Sequence, residues 1–502
     1  MSTFVVVGGD AAGMSAAGKA RREDPELDVV VLERGEWVSY GACGIPYFVK
    51  GEIAEVEDLV VRSPERIVER QGIDLRRGHA VVGVDPDEGT VTVEPGHTGA
   101  DYPGRAGGFP GGESRANPDE RYELAYDDLL LATGGRAVVP DVSGTDLAGV
   151  FTIRSLDAGR ALRNYLTPEE ASAVSAVESG FGAELRAYLT EHVPESVAVV
   201  GGNKIGLEIA EAFVARGLDV HLIEPGEHVF GSREGVLPSF GDAAAEWVEE
   251  QLREQGVELH LGTPIRRFEG EDGHLTAVVT GAGRVPVDAV LLDVGVEPRV
   301  DLAEEVGLER GPTGGIAVDE FGRTSQPGIY AAGDCAEKRH AITGAPTHLP
   351  LALPANRAGR AVGTTVASGE LAPVGEVLGT VVSKIFDLEV ARTGILDHEL
   401  AGEAGFAPVT ETITTISRAH YSPGWARIVV ELTADAESGR LLGGALVGPD
   451  GAAHRVNSVA VALHCGATVE ELAGMEFGYS PPFSPVWDPV LTAAKTLAGD
   501  VE

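Results

Sequence analysis

Two stretches of this 502-residue chain carry the same order of apolar and small residues. Phe4-Val5-Val6-Val7 is apolar without a break, as a strand buried on both faces of a parallel sheet must be. Gly8-Gly9-Asp10-Ala11-Ala12-Gly13 follows as a tight turn, then an alanine-rich helix to about Arg22, then a strand from Asp28 to Leu32 that ends at Glu33. The second stretch repeats the order: strand Val197 to Val200, turn Gly201-Gly202-Asn203-Lys204-Ile205-Gly206, helix Leu207 to Arg216, and strand Val220 to Ile223 ending at Glu224. Alternating patterns predict strands near Asp74 to Arg77, Val81 to Val84 and Thr90 to Val93. Two further apolar runs end in small residues, Tyr126 to Gly135 in Ala132-Thr133-Gly134 and Thr324 to Asp334 in Gly333-Asp334.

Two segments break the pattern. Pro95 to Glu120 is rich in Gly, Pro and polar residues and reads as an exposed loop insertion. Asn164 to Glu191 is amphipathic and reads as a helical insertion starting at Pro168-Glu169-Glu170. From about Pro373 the chain changes character. Strands are predicted at Val377 to Val390, Thr412 to Ile416, Ala426 to Leu432 and Leu441 to Val447, with helices at Arg455 to His464 and Val469 to Ala473. The expected fold is α/β: two Rossmann-like dinucleotide-binding domains, residues 1–150 with 291–370 and residues 151–290, and an α+β domain over 371–502.

The two glycine turns carry chemistry. Each aims backbone N–H groups and the positive end of a helix at a pyrophosphate. Glu33 and Glu224 stand where a carboxylate accepts hydrogen bonds from ribose hydroxyls. Two such units imply two nucleotides, a flavin and a nicotinamide. Glu224 repels a 2′-phosphate, so NADH is favoured over NADPH. Asn203 stands where close approach to the pyrophosphate usually needs glycine, so its side chain is expected to weaken or reposition the nucleotide.

Composition narrows the partners. The net charge of −39, from 39 basic and 78 acidic residues, argues against nucleic acid and anionic membranes. Lysine occurs only at 19, 50, 204, 338, 384 and 495, and an acidic, lysine-poor surface resembles that of salt-adapted, haloarchaeal-like proteins, whose self-repulsion concentrated cations screen. No run approaches the roughly 18 apolar residues of a membrane span, and the chain enters a strand at Thr3, so a cytoplasmic protein is expected. Cys43, Cys335 and Cys465 make neither a disulfide framework nor a metal spacing, and no metal is expected. Cys335 beside Asp334 reads as structural. Cys43 precedes Gly44-Ile45-Pro46, a helix start whose N–H groups favour a thiolate.

The two turns, Ala-Thr-Gly, Gly-Asp, a lone cysteine in Ser39-Tyr40-Gly41-Ala42-Cys43-Gly44-Ile45-Pro46-Tyr47, and the tail Tyr479-Ser480-Pro481-Pro482-Phe483 together resemble a known family. The chain resembles the single-cysteine pyridine nucleotide–disulfide oxidoreductases, and in pattern the coenzyme A-disulfide reductases among them. The resemblance implies FAD, held by Gly8, Gly9, Ala11, Ala12, Gly13, Glu33, Arg34, Thr133, Gly134, Gly333 and Asp334, whose carboxylate meets a ribityl hydroxyl. NADH would be held by Gly201, Gly202, Gly206 and Glu224. A homodimer is implied, built through the C-terminal domain. Cys43 is then the redox thiol, taking electrons from NAD(P)H through the flavin and reducing a small disulfide through a mixed disulfide. Ser15, Lys19, Arg22, Ser39, Ala42 and Asn356 match positions on the substrate side. Tyr479 matches a tyrosine reaching the partner subunit's flavin and thiol, and Tyr421 is the expected second.

The chain also departs from the pattern. Val38 replaces a second cysteine, which excludes an internal Cys-x4-Cys disulfide. Trp487 stands for a lysine near the substrate, and Lys204 for an aromatic residue that screens the flavin. Other acceptors therefore remain open: another small thiol such as γ-glutamylcysteine, polysulfide or sulfur, or oxygen with Cys43 cycling through a sulfenic acid. Ala11, where peroxidases of this architecture carry a histidine, counts against the last. A redox-sensing flavoprotein without turnover is the reading from another class.

Overall fold

The computed structural model describes residues 2–96, 120–167, 183–230, 240–499 and 501. Most of the Pro95 to Glu120 insertion, and the helix start at Pro168, lie outside the described residues.

The repeated sequence pattern becomes a repeated sheet. The first runs in the order Ile329–Ala331, Asp128–Leu131, Thr3–Val7, Asp28–Glu33, Asp74–Arg77, all parallel. The second runs Glu258–His260, Asp219–Ile223, Ser196–Val200, Ala289–Leu292, Val150–Thr152, again all parallel. In each, the strand before the glycine turn is central and fully buried: Phe4, Val5 and Val6, and Val197, Ala198 and Val199. Both faces of such a strand pack against other layers, which is why its sequence does not alternate.

Strand Ile329–Ala331 returns to the first sheet from late in the chain and sets Gly333 and Asp334 beside the first turn. The approach is close: a Cβ on Gly333 would sit 3.1 Å from Ala12 Cβ. Helix Ala352–Ser368 then lies against helix Ala11–Glu23 at backbone contact. A Cβ on Gly359 would meet the Ala12 carbonyl at 2.1 Å, and one on Gly363 the Ala16 carbonyl at 2.4 Å. Only glycine permits this crossing, and it carries Asn356 to the first helix.

The C-terminal unit is an antiparallel sheet in the order Val381–Ile385, Leu388–Gly394, Leu441–Gly448, Arg427–Asp435, Pro408–Ile416. Helices Ala452–His464 and Pro489–Leu497 pack on it through Val456, Val459, Val490 and Leu497. Helix Val469–Ala473 has its predicted bounds and starts in a capping box between Thr468 and Glu471.

Residues 164–191 depart from expectation. A helix begins earlier, at Leu156, where the Ser155 hydroxyl accepts from the Ala158 N–H, and it ends at Leu166. Asn164 is thus in a last turn rather than a first. Ala183–Glu191 is helical as predicted. Among the described residues no helix is long and apolar enough to cross a membrane.

Candidate functional site

The first turn is a cradle shaped by missing side chains. Gly8 has φ +114°, and a Cβ there would lie 2.2 Å from the Ala132 carbonyl; one on Gly13 would lie 1.9 Å from the Gly8 carbonyl. The buried Glu33 carboxylate accepts from Gly9 N–H and Gly35 N–H, both at 2.7 Å. The second turn copies this. Gly201 has φ +111° and Gly206 packs on the Gly201 carbonyl, while buried Glu224 accepts from Gly202 N–H at 2.6 Å and Gly226 N–H at 2.7 Å. Ala11 and Ala12 open the first helix, and Arg34 follows Glu33 directly.

Asn203 caps the second helix, and its Nδ2 donates to the Asp293 carbonyl at 3.3 Å. Asp293 Oδ2 in turn accepts from Gly206 N–H at 2.7 Å, and burial pushes the Asp293 carboxyl up to about 6. Lys204 pairs with Glu208 at 2.8 Å, and Glu208 also accepts from Ser383 of the C-terminal unit at 2.7 Å. The lysine at the aromatic residue's place is thus committed to a contact between units.

Asp10, in the middle-glycine place of the first turn, accepts from Tyr40 N–H at 3.3 Å, linking the turn to the loop that carries Cys43. Burial pushes Asp10 up to about 6, with the charges of Glu33 and Asp334 adding to it and the Tyr40 N–H opposing. The fold therefore binds this proton more tightly than the unfolded chain, whose carboxyl titrates near 3.8. Ionised Asp10 destabilises the fold fully above about pH 6 and not at all below the unfolded value, a difference of roughly 3 kcal/mol. Asp10→Asn is expected to raise the calorimetric melting temperature at neutral pH, with the gain shrinking as pH falls towards 4. A gain that is constant with pH contradicts this account.

At the other side of the turn, Arg154 Nη2 donates to Asp334 Oδ2 at 2.9 Å, while Arg154 Nε is buried without a partner. Thr133 Oγ1 donates to the Arg299 carbonyl at 2.7 Å, and Gly134 has φ +73°. Cys335 is fully buried, with its Sγ against the carbonyls of Leu131 and Ala332, and burial pushes its thiol up. It is structural, as its position next to Asp334 suggests.

The cysteine loop is pinned by backbone. Ser39 adopts φ +49° and donates its N–H to the Gly9 carbonyl at 2.9 Å, and Gly41 N–H reaches the Leu59 carbonyl at 2.8 Å. Val38, in place of a second cysteine, is buried against Gly9. Ala42, Cys43 and Gly44 form one 3₁₀ turn that runs directly into helix Ile45–Lys50, with Pro46 in its first turn. Ala42 and Cys43 are exposed. A Cβ on Gly44 would lie 2.2 Å from Leu59 Cδ2, so any larger residue there would have to displace the Leu59 side chain.

Several of the residues that the sequence pattern matched to a substrate side meet. Ser15 Oγ donates to Asn356 Oδ1 at 2.5 Å, across the glycine-mediated helix crossing. Arg22, two turns further along the same helix face, is held below its ordinary range by partial burial and by the guanidiniums of Arg360 and Arg62. Three positive groups thus gather in a chain of charge −39. Lys19 is bound to Glu23 at 2.5 Å. The sequence reading missed Arg62 and Arg360. The signal for Arg360 is its spacing of one helical turn from Asn356. Arg62 follows the loop returning from Cys43 and has no such signal.

Tyr421 and Tyr479, far apart in sequence, share a hydrogen bond between their hydroxyls at 3.0 Å, which pushes the Tyr479 phenol up. Both are exposed, as are their chain neighbours Trp425, Phe483, Val486 and Trp487. Lys495 Nζ lies 5.3 Å from the Trp487 ring centre, so a lysine ammonium is present next to the position where the sequence pattern lacked one.

Residues 2–359 match the model of the pyridine nucleotide-disulphide oxidoreductase family, and residues 381–489 match that family's dimerisation domain. The chain belongs to this family. Among curated relatives of this oxidoreductase, the NAD(P)H sulfur oxidoreductase (CoA-dependent) of Pyrococcus abyssi is 37% identical, covering 99% of this chain and 98% of the relative. The NADH oxidase of Methanocaldococcus jannaschii is 31% identical, over 98% and 97%. The crystal structure of reduced CoADR-RHD from Bacillus anthracis superposes with a TM-score of 0.85 at 30% identity, over 100% of this chain and 81% of that one. As a pyridine nucleotide-disulphide oxidoreductase the protein is an FAD- and NAD(P)H-dependent enzyme. The residues present suit both groups: in each turn glycines let the backbone close tightly at the start of a helix, where a Cβ would collide with carbonyl oxygens, and Arg154, whose Nε is buried without a partner, is bound to Asp334.

Proposed function

We propose that this enzyme reduces the sulfur–sulfur bond of an anionic low-molecular-weight disulfide, coenzyme A disulfide above all, at Cys43. The observation that carries the reading is the gathering of Arg22, Arg62 and Arg360, with Arg22 two helical turns along from Ser15 and Arg360 one turn along from Asn356, the residues that bond the two helices together. Guanidiniums are suited to phosphate oxygens, and an apolar or uncharged acceptor would leave them without a purpose. Ser39 and Ala42 flank the thiol, Lys19 lies on the same helix as Ser15 and Arg22, and these five residues with Asn356 form the substrate side.

The first turn with Glu33, Arg34, Thr133, Gly134, Gly333 and Asp334 would hold FAD, and Gly201, Gly202, Gly206 and Glu224 would hold a nicotinamide; together the two groups would supply the reducing electrons. The Cys43 thiolate attacks one sulfur of the disulfide; a Cys43–S–S–R bond forms, the substrate S–S bond breaks, and the other half leaves as a thiolate. Two electrons then cleave the mixed disulfide, releasing the second thiol and restoring Cys43. Tyr479 and Tyr421 can protonate a leaving thiolate. They do so from a partner subunit in a homodimer formed through the C-terminal domain, where they and their exposed apolar neighbours are covered. Glu224 favours NADH, since a carboxylate repels a 2′-phosphate.

A second reading is favoured by the Pyrococcus abyssi relative's name: the same thiol acting on sulfur in a coenzyme A-dependent reaction. The NADH oxidase relative raises oxygen as an acceptor; Ala11, with no side-chain acid or base beside the thiol, weighs against a peroxidase cycle. With NADH as donor and molar potassium chloride to screen the acidic surface, turnover is expected to be highest on coenzyme A disulfide, lower on bis-γ-glutamylcystine, and detectable on polysulfide. Turnover on oxygen alone contradicts the reductase reading.

A further inference from the structure

The second sheet carries a cluster that the redox chemistry does not use. Its edge strand Glu258–His260 runs parallel to Asp219–Ile223, with His221 opposite Glu258 and Ile223 opposite His260. Residues two apart on a strand share a face, so His221, Glu258 and His260 stand together on one side of the sheet. His221 Nδ1 lies 3.2 Å from His260 Nε2 and 3.5 Å from Glu258 Oε2, and His260 Nε2 lies 3.6 Å from Glu258 Oε1.

A hydrogen bond between the two imidazoles accounts for the first distance only. It leaves the carboxylate oxygens too far from either ring for a good hydrogen bond, with three electron-rich groups turned on one point. A cation explains all three distances together. Zinc binds imidazole nitrogen and carboxylate oxygen at about 2.0–2.2 Å in a tetrahedral array, which sets neighbouring ligand atoms about 3.3–3.5 Å apart. The ring-to-ring separation and each ring's separation from a carboxylate oxygen, Oε2 for His221 and Oε1 for His260, straddle that value. The two imidazoles stand at 17% and 20% exposure and the carboxylate at 64%, so an ion has both a shielded seat and a path from solvent.

We propose that His221, Glu258 and His260 form a binding site for a divalent transition-metal ion of the zinc class, with a fourth position open to water. Two imidazoles select such an ion over magnesium or calcium, which prefer oxygen ligands. The bound ion staples the edge strand to its neighbour. The neighbour's next residue is Glu224, whose N–H donates to the His260 carbonyl at 3.0 Å, so the staple lies at the corner that holds this carboxylate. Spacing along the chain does not disclose the site, because its ligands come from two strands separated by a helix.

The test is metal uptake by the flavin-loaded enzyme, stripped with chelator and titrated with Zn²⁺ in molar potassium chloride, which screens diffuse attraction to the acidic surface. One equivalent per chain is expected, with a rise in the melting temperature. His260→Ala is expected to abolish the equivalent, and Glu258→Gln to weaken it at least about tenfold. Glu258 is largely exposed, so its variant keeps the test valid if the histidine variant folds poorly; flavin absorbance and circular dichroism check both. Co²⁺ is expected to give a ligand-field spectrum without a thiolate charge-transfer band. No uptake by the parent, uptake unchanged in both variants, or a thiolate band from Cys43 or Cys465 would each overturn the proposal.

Discussion

Cys43→Ser is expected to lower NADH-dependent disulfide reduction by at least about a thousandfold while leaving the bound flavin and its absorbance in place. The effect is large because no other thiol can substitute. Cys335 is fully buried against backbone carbonyls, and Cys465 lies at the end of helix Ala452–His464 in the C-terminal unit. The flavin is retained because the Cys43 turn is held by Gly41 N–H on the Leu59 carbonyl and by Gly44 against Leu59, contacts the sulfur does not make. The hydroxyl is isosteric enough to keep the 3₁₀ turn but is a poor nucleophile at neutral pH. Steady-state turnover and the flavin spectrum, measured on the same sample, check both halves. Normal turnover in the variant means that Cys43 is not the redox centre.

Arg22→Ala is the second large effect. A guanidinium bound to a phosphate is worth about 1.5–3 kcal/mol as a charge-assisted hydrogen bond, or roughly 10–100-fold in affinity. The KM for coenzyme A disulfide is expected to rise by that factor, and to rise again in Arg22→Ala/Arg360→Ala. The kcat is expected to change little, because neither residue touches the reacting sulfur atoms. On bis-γ-glutamylcystine, which carries no phosphate, the same variants are expected to change KM much less. Removing Arg360 alone also relieves repulsion on Arg22, so the double variant is expected to show less than the product of the two single effects. Equal losses on both disulfides contradict a phosphate-binding role and leave the cluster as surface charge.

The parts of the fold legible in sequence are those governed by local rules. The runs Phe4 to Val7 and Val197 to Val200 announce buried parallel strands, and the glycines at 8, 13, 201 and 206 are set by backbone contacts within each turn. Cys43 and Glu33 are legible because each stands at a fixed distance from such a turn. Helix Ala352–Ser368 was not read as an element, since its reason to exist lies in Gly359 and Gly363 meeting a helix more than three hundred residues earlier. Arg360 escaped because the helix that spaces it one turn from Asn356 was not read, and Arg62, on a separate segment, has no sequence spacing to either arginine. The Ser15–Asn356 pair was found only through resemblance, and its geometry supplies the physical reason. Asn203 looked like an obstacle in the second turn, but its amide is occupied by the Asp293 carbonyl at 3.3 Å.

The central claim is that Cys43 joins covalently to half of an anionic disulfide. Mass spectrometry of the reduced enzyme after one equivalent of coenzyme A disulfide tests it most directly. The expected result is release of one equivalent of coenzyme A and one coenzyme A bound as a mixed disulfide in the peptide containing Cys43, removed on adding NADH. An enzyme that turns over this substrate with Cys43 unmodified, or with the adduct on Cys465 instead, contradicts the account.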